Sequence, residues 1–345
     1  MSVDVIAFFN NKGGVGKTSL VYHLAWMYSD LGVRVLAADL DPQANLTAAF
    51  LDEDRLEQLW PDGDHPRTVF GAVQPLLRGV GDVREPHVEK VEHKLGVLVG
   101  DLSLSGFEDQ LAEVWPKCND GDERAFRVMS AFWRIMQQAA SRDGASMILM
   151  DLGPNLGAIN RAALISADYV AIPLSPDLFS LQGLRNLGPT LRKWRQEWSE
   201  RVPKNPASDL ALPRGRMQPL GYIVLQHSVR LDRPVKAYER WIAKMPREYT
   251  ESVLGQKPDG SVTPDADLNR LKLLKHYHSL MPLAQEAHKP MFHLKSADGA
   301  IGAHLQAVQA AYKDFRELAM AIAPRAGIEI PERRVSLNPE TFSKR

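Results

Sequence analysis

A glycine-rich stretch near the N-terminus constrains the fold of this chain more than any other feature. Residues 8–19 have the sequence FFNNKGGVGKTS, in which three glycines precede a Lys-Thr pair. An apolar run over residues 5–9 predicts a buried strand before the glycines, and an apolar-periodic stretch over residues 20–31 predicts a helix after them. A strand, a glycine loop, Lys-Thr and a helix in this order form a P-loop, which binds phosphate groups.

The residue types in this loop define the chemistry that it can perform. Glycines allow successive backbone N–H groups to point into one concavity, and the helix N-terminus adds a partial positive charge there. Lys17 would neutralise the β- and γ-phosphates of a nucleoside triphosphate, and the Thr18 hydroxyl would hold Mg²⁺. The residues expected to bind the nucleotide in this loop are Asn11, Lys12, Gly13, Gly14, Val15, Gly16, Lys17, Thr18 and Ser19.

The front of the loop departs from the general P-loop pattern. Asn11 takes the place of the first glycine and tolerates a left-handed backbone better than most residues do, and Lys12 is an additional lysine. The run KGGVGKT resembles the deviant Walker A motif of the ParA/MinD partition and positioning ATPases. The alternative is a glycine-rich turn with a solvated lysine, which would have to place strand, loop and helix here by coincidence.

The resemblance implies that two copies of the chain cooperate. In ParA/MinD proteins the front lysine crosses a dimer interface and contacts the phosphates of the partner's nucleotide, and the matching position here is Lys12. The ligands implied are ATP and Mg²⁺. The assembly implied is an ATP-dependent homodimer with slow hydrolysis that a partner protein stimulates.

A second motif follows the next predicted strand. The apolar run over residues 33–38 leads into Asp39-Leu40-Asp41-Pro42-Gln43. Carboxylates at the carboxyl ends of parallel strands can position a water and hold Mg²⁺. The motif resembles switch I of the family, which implies that Asp41 orients the attacking water, helps to hold the metal, and joins Lys12 and Lys17 as a catalytic residue. A turn that closes a strand is the alternative interpretation.

A third motif is the apolar run over residues 147–150 with Asp151 after it. A carboxylate at a strand end in this class of protein faces the water shell of Mg²⁺, so Asp151 is a candidate metal residue together with Thr18 and Asp41. The family usually has Asp-x-Pro-Pro here, whereas this chain has Gly153 before Pro154. An aspartate that caps the next helix is the alternative.

Two further positions are candidates for contact with the nucleotide. A strand predicted over residues 221–225 ends at Gln226, where the family often has a polar residue that contacts adenine. A polar residue that only ends the strand is at least as good an interpretation. Residues 288–318 resemble the C-terminal signature of the family, in which Pro290 is the second candidate.

A formal net charge of zero hides a basic middle segment. Residues 1–184 carry 15 Lys and Arg against 25 Asp and Glu, whereas residues 185–247 carry 14 against 5. Such an asymmetry favours a polyanionic partner, although a solvated helix face is the commoner explanation. The candidates for non-specific DNA binding are Arg192, Arg195, Arg233, Lys236, Arg240 and Lys244.

The three nucleotide motifs, each at the end of a predicted strand, predict an α/β fold with a doubly wound, mainly parallel sheet flanked by helices. We expect one P-loop ATPase domain over residues 1–323, with insertions near 52–66, 200–217 and 250–270, and a tail over 324–345. The single Cys118 excludes an internal disulfide, and no apolar run is long enough to span a membrane. The expected location is therefore the cytoplasm, with the nucleoid as a candidate site within it and without membrane association.

The leading hypothesis is a ParA-type ATPase that positions or segregates DNA or another cargo. The alternative is a nucleotide switch that acts on a protein partner without binding DNA, in plasmid maintenance or defence. A metabolic enzyme of the same superfamily is a third hypothesis, and the absence of a cysteine pair argues against a reductase component. The polar tail disfavours a MinD-like role on membranes.

Overall fold

One mainly parallel sheet organises the computed structural model, which describes residues 2–225, 235–258, 260, 262–277 and 279–331. The strands are β1 (Val5–Phe8), β2 (Val35–Asp39), β3 (Glu89–Glu92), β4 (Leu95–Leu98), β5 (Met147–Asp151), β6 (Tyr169–Leu174), β7 (Gln218–Leu225) and β8 (Arg270–Leu274). They lie in the order β3-β4-β2-β5-β1-β6-β7-β8. The edge strand β3 is antiparallel to β4, and the other described pairings are parallel.

Helices cover both faces of this sheet. They are α1 (Lys17–Asp30), α2 (Asn45–Phe50), α3 (Glu53–Leu59), α4 (Val69–Arg78), α5 (Glu108–Lys117), α6 (Glu123–Met129), α7 (Ala131–Asp143), α8 (Ala158–Ile165), α9 (Leu178–Arg201), α10 (Val235–Ile242), α11 (Met245–Glu248), α12 (Met281–Glu286) and α13 (Ala303–Ile322). Within the described residues, none of the helices is long and apolar enough to cross a membrane.

The central strands are apolar throughout because both of their faces are buried. In β1, Val5 and Ala7 pack with α4–α9 in one core, whereas Ile6 and Phe8 pack with α1, α2 and α13 in the other. A sheet with a hydrophobic core on each face is the doubly wound arrangement that the sequence predicts, and the prediction is confirmed.

The order of the strands brings the three motifs together at the carboxyl ends of the central strands. Strand β1 lies between β5 and β6, and β2 lies on the other side of β5. In this register Asp151 is opposite both Phe8 and Asp39. Because ligands of such sheets bind outside the carboxyl ends of the strands, the glycine loop and the acidic residues face the same crevice.

Several elements differ from the sequence predictions. The edge strands β3 and β8 are missed, because their charged residues hide the apolar pattern of a strand. The insertion near 250–270 begins as a helical turn over Tyr249–Leu254, so the expected loop is wrong for its first residues. Ile328 and Ile330 pack against the core, whereas residues 332–345 of the predicted tail lie outside the described part of the chain.

Candidate functional site

The glycine loop forms the floor of an open cavity of about 770 Å³. Gly14 and Gly16 have φ angles of 70° and 83°, which residues with a side chain rarely adopt. A Cβ on Gly16 would also lie 3.1 Å from Leu225 Cδ1. The backbone at Gly14 and Gly16 therefore has the conformation of a phosphate-binding loop, which glycine adopts readily. The loop residues that line the cavity are Gly13, Gly14, Val15, Gly16, Lys17, Thr18 and Ser19.

Lys17 is a buried cation at the start of α1. Its Nζ donates hydrogen bonds to the carbonyl oxygens of Asn10 at 3.2 Å and Lys12 at 3.4 Å. Burial lowers the pKa of Lys17, and the nearby Asp151 and Asp41 offset part of that effect. A cation that is largely removed from water and faces the cavity floor can interact strongly with a phosphate group.

Asp151 is the buried carboxylate of the site. Among the described residues, neither of its carboxylate oxygens accepts a well-formed hydrogen bond. Burial raises the pKa of Asp151 to about 8, Asp39 adds to that rise, and the nearby Thr18 hydroxyl offsets a small part of it. An unsatisfied buried carboxylate beside a hydroxyl fits a divalent cation and its waters. The described residues contain no group of three or more His, Cys, Asp or Glu side chains arranged to hold a metal, so phosphate and water would complete the shell.

Asp39 and Asp41 have different surroundings although they are two residues apart. Asp41 lines the cavity, and one of its carboxylate oxygens accepts the backbone N–H of Gln43 at 3.0 Å. Asp39 is fully buried and accepts both the backbone N–H and the hydroxyl of Thr47, at 2.8 and 2.7 Å. Asp41 is thus available to the ligand, and Asp39 fixes the start of α2 behind it.

Gly153, the departure from the family pattern, lies against Asp41. A Cβ at this position would be 3.2 Å from Asp41 Oδ1 and 3.6 Å from its Cγ. A proline ring would therefore compete with the Asp41 carboxylate for space. The glycine leaves the aspartate room beside the loop that follows Asp151.

Asn11 does not act as the sequence predicts. It does not have a positive φ angle, because the reversal of the chain falls on Gly14 and Gly16. Its Oδ1 is instead buried, 2.8 Å from where a Cβ on Gly183 of α9 would lie. Asn10, which sequence reasoning missed, donates from Nδ2 to the Pro173 carbonyl at 2.6 Å and accepts the Lys12 backbone N–H at 3.0 Å.

The Lys12 side chain extends away from the cavity and toward α9. Its Nζ forms an ion pair with Asp177, and it lies 6.0 Å from the centre of the Phe179 ring. Leu178 and Phe179 are 53% and 72% exposed, which marks an apolar surface patch beside the lysine. No sequence motif indicates this pair, because its members are 165 residues apart.

The far wall of the cavity comes from the C-terminal part of the chain. Met281, Ala284, Gln285, His288 and Lys289 line it. Pro290 is buried between two lining residues, since Lys289 lines this cavity and Met291 lines a smaller adjoining one. Its neighbours Lys289 and Met291 therefore line the cavities, whereas Pro290 itself does not. Gln226 lies outside the described residues.

Two of the predicted DNA-binding arginines have structural roles. Arg192 donates to the carbonyl oxygens of Ser252 and Val253 at 2.7 and 2.9 Å. Arg195 donates to the Met217 carbonyl at 2.6 Å, and burial lowers its pKa. Both guanidinium groups thus have backbone partners within the chain, and their contact with DNA stays a prediction.

Two other predicted residues remain at the surface. Arg240 and Lys244 are exposed, and their cationic groups lie 5.7 and 5.0 Å from the Trp241 ring. Arg233 lies outside the described residues, as does the side chain of Lys236. The described basic surface is thus smaller than the sequence suggests.

A family model and two known proteins each match a little more than half of this chain. A family model described as an AAA domain matches residues 3–203. The chain is 30% identical to protein IncC of Escherichia coli over 193 residues. This match covers 54% of this chain and 45% of IncC. The chain is also 29% identical to the chromosome partitioning protein ParA of Caulobacter vibrioides over 198 residues. That match covers 57% of this chain and 66% of ParA. The matches span less than two thirds of either relative.

A solved structure has the same fold over nearly the whole chain. McdA of Cyanothece, in complex with ATP, is superimposed with a TM-score of 0.61 at 15% sequence identity. The superposition covers 96% of this chain and 99% of McdA. The similarity in fold therefore extends well beyond the segment that the family model matches.

Proposed function

Since the chain belongs to the AAA domain family, as a ParA/MinD-like partition ATPase, we propose that it binds and hydrolyses ATP with Mg²⁺ and forms a dimer while ATP is bound. In this state it would position or segregate DNA or another cargo. A partner protein would stimulate hydrolysis and thereby end the dimeric state.

One observation carries the proposal: the buried cation Lys17 lines the floor of the cavity, and the buried, unsatisfied carboxylate of Asp151 lies close behind it. Lys17 and Asp151 are too far removed from water to be left without ligands at low cost. A triphosphate would neutralise Lys17, and Mg²⁺ would neutralise Asp151. The glycine backbone with positive φ at Gly14 and Gly16 supplies N–H groups for the phosphate oxygens.

Each residue has a definite role in this proposal. Lys17 and the loop backbone bind the β- and γ-phosphates, and Thr18, Asp151 and Asp41 would hold Mg²⁺ and its waters. When bound, Mg²⁺ supplies positive charge that stabilises the phosphate oxygens during transfer. The Asp41 carboxylate, which lines the cavity, orients the attacking water. The adenine base of ATP would lie toward the wall of the cavity that Met281 and Lys289 form.

The direction of the Lys12 side chain supports a dimer. It lies beside the exposed Leu178 and Phe179 and not over the cavity of its own chain. A cation at an apolar surface patch is suited to a protein interface, where it could reach the nucleotide of a second copy. Lys12 would thereby make ATP binding and dimerisation depend on each other.

DNA is the cargo that the sequence charge favours. Arg240 and Lys244 are exposed cations that both lie near the Trp241 ring, and a dimer would present two copies of this pair. Electrostatic affinity for DNA rises steeply with the number of phosphates neutralised. On this proposal the protein works in the cytoplasm, associated with the nucleoid.

A second candidate function is a nucleotide switch that acts on a protein without DNA. It is favoured by the structural use of Arg192, Arg195 and Arg185, the last of which pairs with Glu248. These contacts leave fewer cations for phosphates than the sequence predicts.

Binding of fluorescent ATP and ADP, followed by sedimentation with and without Mg²⁺, tests the proposal. We expect ATP with Mg²⁺ to convert the monomer to a dimer, and ADP not to do so. Titration of a DNA duplex at several salt concentrations then separates the two candidates. Affinity that falls with salt and requires ATP supports the partition ATPase, and its absence from a proven dimer favours the switch. A chain that binds no nucleotide would contradict both.

A further inference from the structure

The pair formed by Lys12 and Asp177 has a part in the reaction that the nucleotide motifs do not account for. We propose that Asp177 is a positioning residue that holds Lys12 against α9 in the monomer and must release it before Lys12 can bind the phosphates of a second copy. This inference rests on the proposed function, because it concerns the same lysine.

Asp177 uses its two carboxylate oxygens for different purposes. Oδ1 accepts the backbone N–H of Ser180 at 2.9 Å and caps the N-terminus of α9. Oδ2 binds the Lys12 ammonium. The cap requires only a side-chain oxygen, whereas the ion pair requires the negative charge. The two tasks can therefore be separated by a single substitution.

Two contacts of the residues before the P-loop glycines, one to strand β6 and one to the N-cap of α9, differ in strength. The first, from Asn10 Nδ2 to the Pro173 carbonyl, is buried and has a length of 2.6 Å. The second is the Lys12–Asp177 pair, whose side chains are 28% and 24% exposed. A hydrogen bond inside the core is kept, whereas a partly solvated ion pair stabilises little and can be exchanged for a better partner. The ion pair is thus the connection that can open.

A triphosphate is that better partner, because it carries several negative charges where Asp177 carries one. Release of Lys12 would leave Asp177 at the surface beside Leu178 and Phe179. By holding Lys12, Asp177 therefore opposes dimerisation and raises the concentration at which the dimer forms.

Asp177→Asn removes the charge and keeps an oxygen for the cap. We expect this variant to bind ATP like the wild type and to dimerise with ATP at lower protein concentration. An exposed ion pair is worth up to about a factor of five in an equilibrium constant, and a dimer breaks two pairs, so the expected gain is roughly 5- to 25-fold. The matched control is Asp52→Asn, since Asp52 caps α3 in the same way, accepting the Arg55 N–H at 2.8 Å.

Sedimentation with ATP should be measured on four proteins: wild type, Asp177→Asn, Lys12→Ala and the double variant. If Asp177 acts through Lys12, Asp177→Asn will have no effect when Lys12 is absent. A weaker dimer for Asp177→Asn would overturn the inference, because Asp177 would then direct Lys12 toward the partner. An equal effect with and without Lys12 would reduce Asp177 to a helix cap.

Labelling of lysines without nucleotide, followed by mass spectrometry, tests the pair in the monomer. We expect Asp177→Asn to increase the labelling of Lys12 several-fold relative to Lys193, an exposed lysine on α9. Unchanged labelling would overturn the inference. If labelling increases but the wild type never dimerises with ATP, the proposed function fails while the hold of Asp177 on Lys12 stands.

Discussion

The nucleotide cavity and the basic segment over residues 185–247 use their charges in opposite ways. At the cavity, both Lys17 and Asp151 are buried: Asp151 lacks hydrogen-bond partners among the described residues, and Lys17 donates only to two backbone carbonyls. In the basic segment, Arg185, Arg192 and Arg195 have partners within the chain. Unbalanced charge at a buried position indicates a ligand, whereas surplus charge in a sequence is often balanced by the fold.

The largest expected effect is on phosphate binding. Lys17→Ala should lower ATP affinity by about 100-fold or more, because the phosphates lose a buried, charge-assisted partner. Calorimetric titration with ATP and Mg²⁺ measures the change. Lys193→Ala, which removes an exposed lysine of α9, is the control. ATP affinity equal to that of the wild type in Lys17→Ala would remove the basis for placing the phosphates in this cavity.

A slightly smaller effect is expected on turnover. Asp41→Ala should bind ATP but hydrolyse it at least about 100-fold more slowly, because the attacking water loses its orienting carboxylate. The variant should therefore accumulate as a dimer with ATP. Release of phosphate and sedimentation, measured in parallel, check both statements. Unchanged turnover would make Asp41 a turn residue only.

The basic surface gives the next effect. Arg240→Glu combined with Lys244→Glu should retain the dimer, weaken DNA binding strongly and reduce the salt slope of the remaining binding by about two per chain. Arg195→Gln is the informative contrast, because it removes the donor to the Met217 carbonyl. It should lower stability by about 1 kcal/mol and leave the salt slope unchanged. Unchanged stability with a reduced salt slope would instead place Arg195 on the DNA-binding surface.

The smallest effect concerns pH. The raised pKa of Asp151, about 8, means that the folded chain binds a proton there which the unfolded chain has lost. Without ligand, stability should therefore fall as pH rises from about 4 to about 8, the interval between the ordinary and the raised pKa of Asp151, and then level off. Asp151→Asn should reduce this fall and raise Tm at pH 9 by about 2–4 °C. Mg²⁺ with ATP should restore the lost stability in the wild type but not in Asp151→Asn. Equal profiles of stability against pH in the two proteins would contradict the raised pKa of Asp151.

How far the sequence determines the site depends on the distance along the chain between interacting residues. The P-loop could be predicted because its strand, glycines and helix are consecutive. The ion pair of Lys12 with Asp177 and the close approach of Gly153 to Asp41 could not, since each joins residues that only the folded sheet brings together. The hydrogen bonds of Arg192 and Arg195 could not be predicted for the same reason, because their carbonyl partners carry no sequence signal.

The role assigned to Lys12 in a second copy is tested most directly by mixing two inactive variants, Lys12→Ala and Asp41→Ala. In a mixed dimer, the site on the Lys12→Ala chain has its own Asp41 and receives Lys12 from the other chain. One of its two sites is then complete. With half of the dimers mixed, we expect ATP turnover of up to about a quarter of the wild-type rate, well above either variant alone. Turnover no higher than the average of the separate variants would contradict the account, because Lys12 would then act within its own chain.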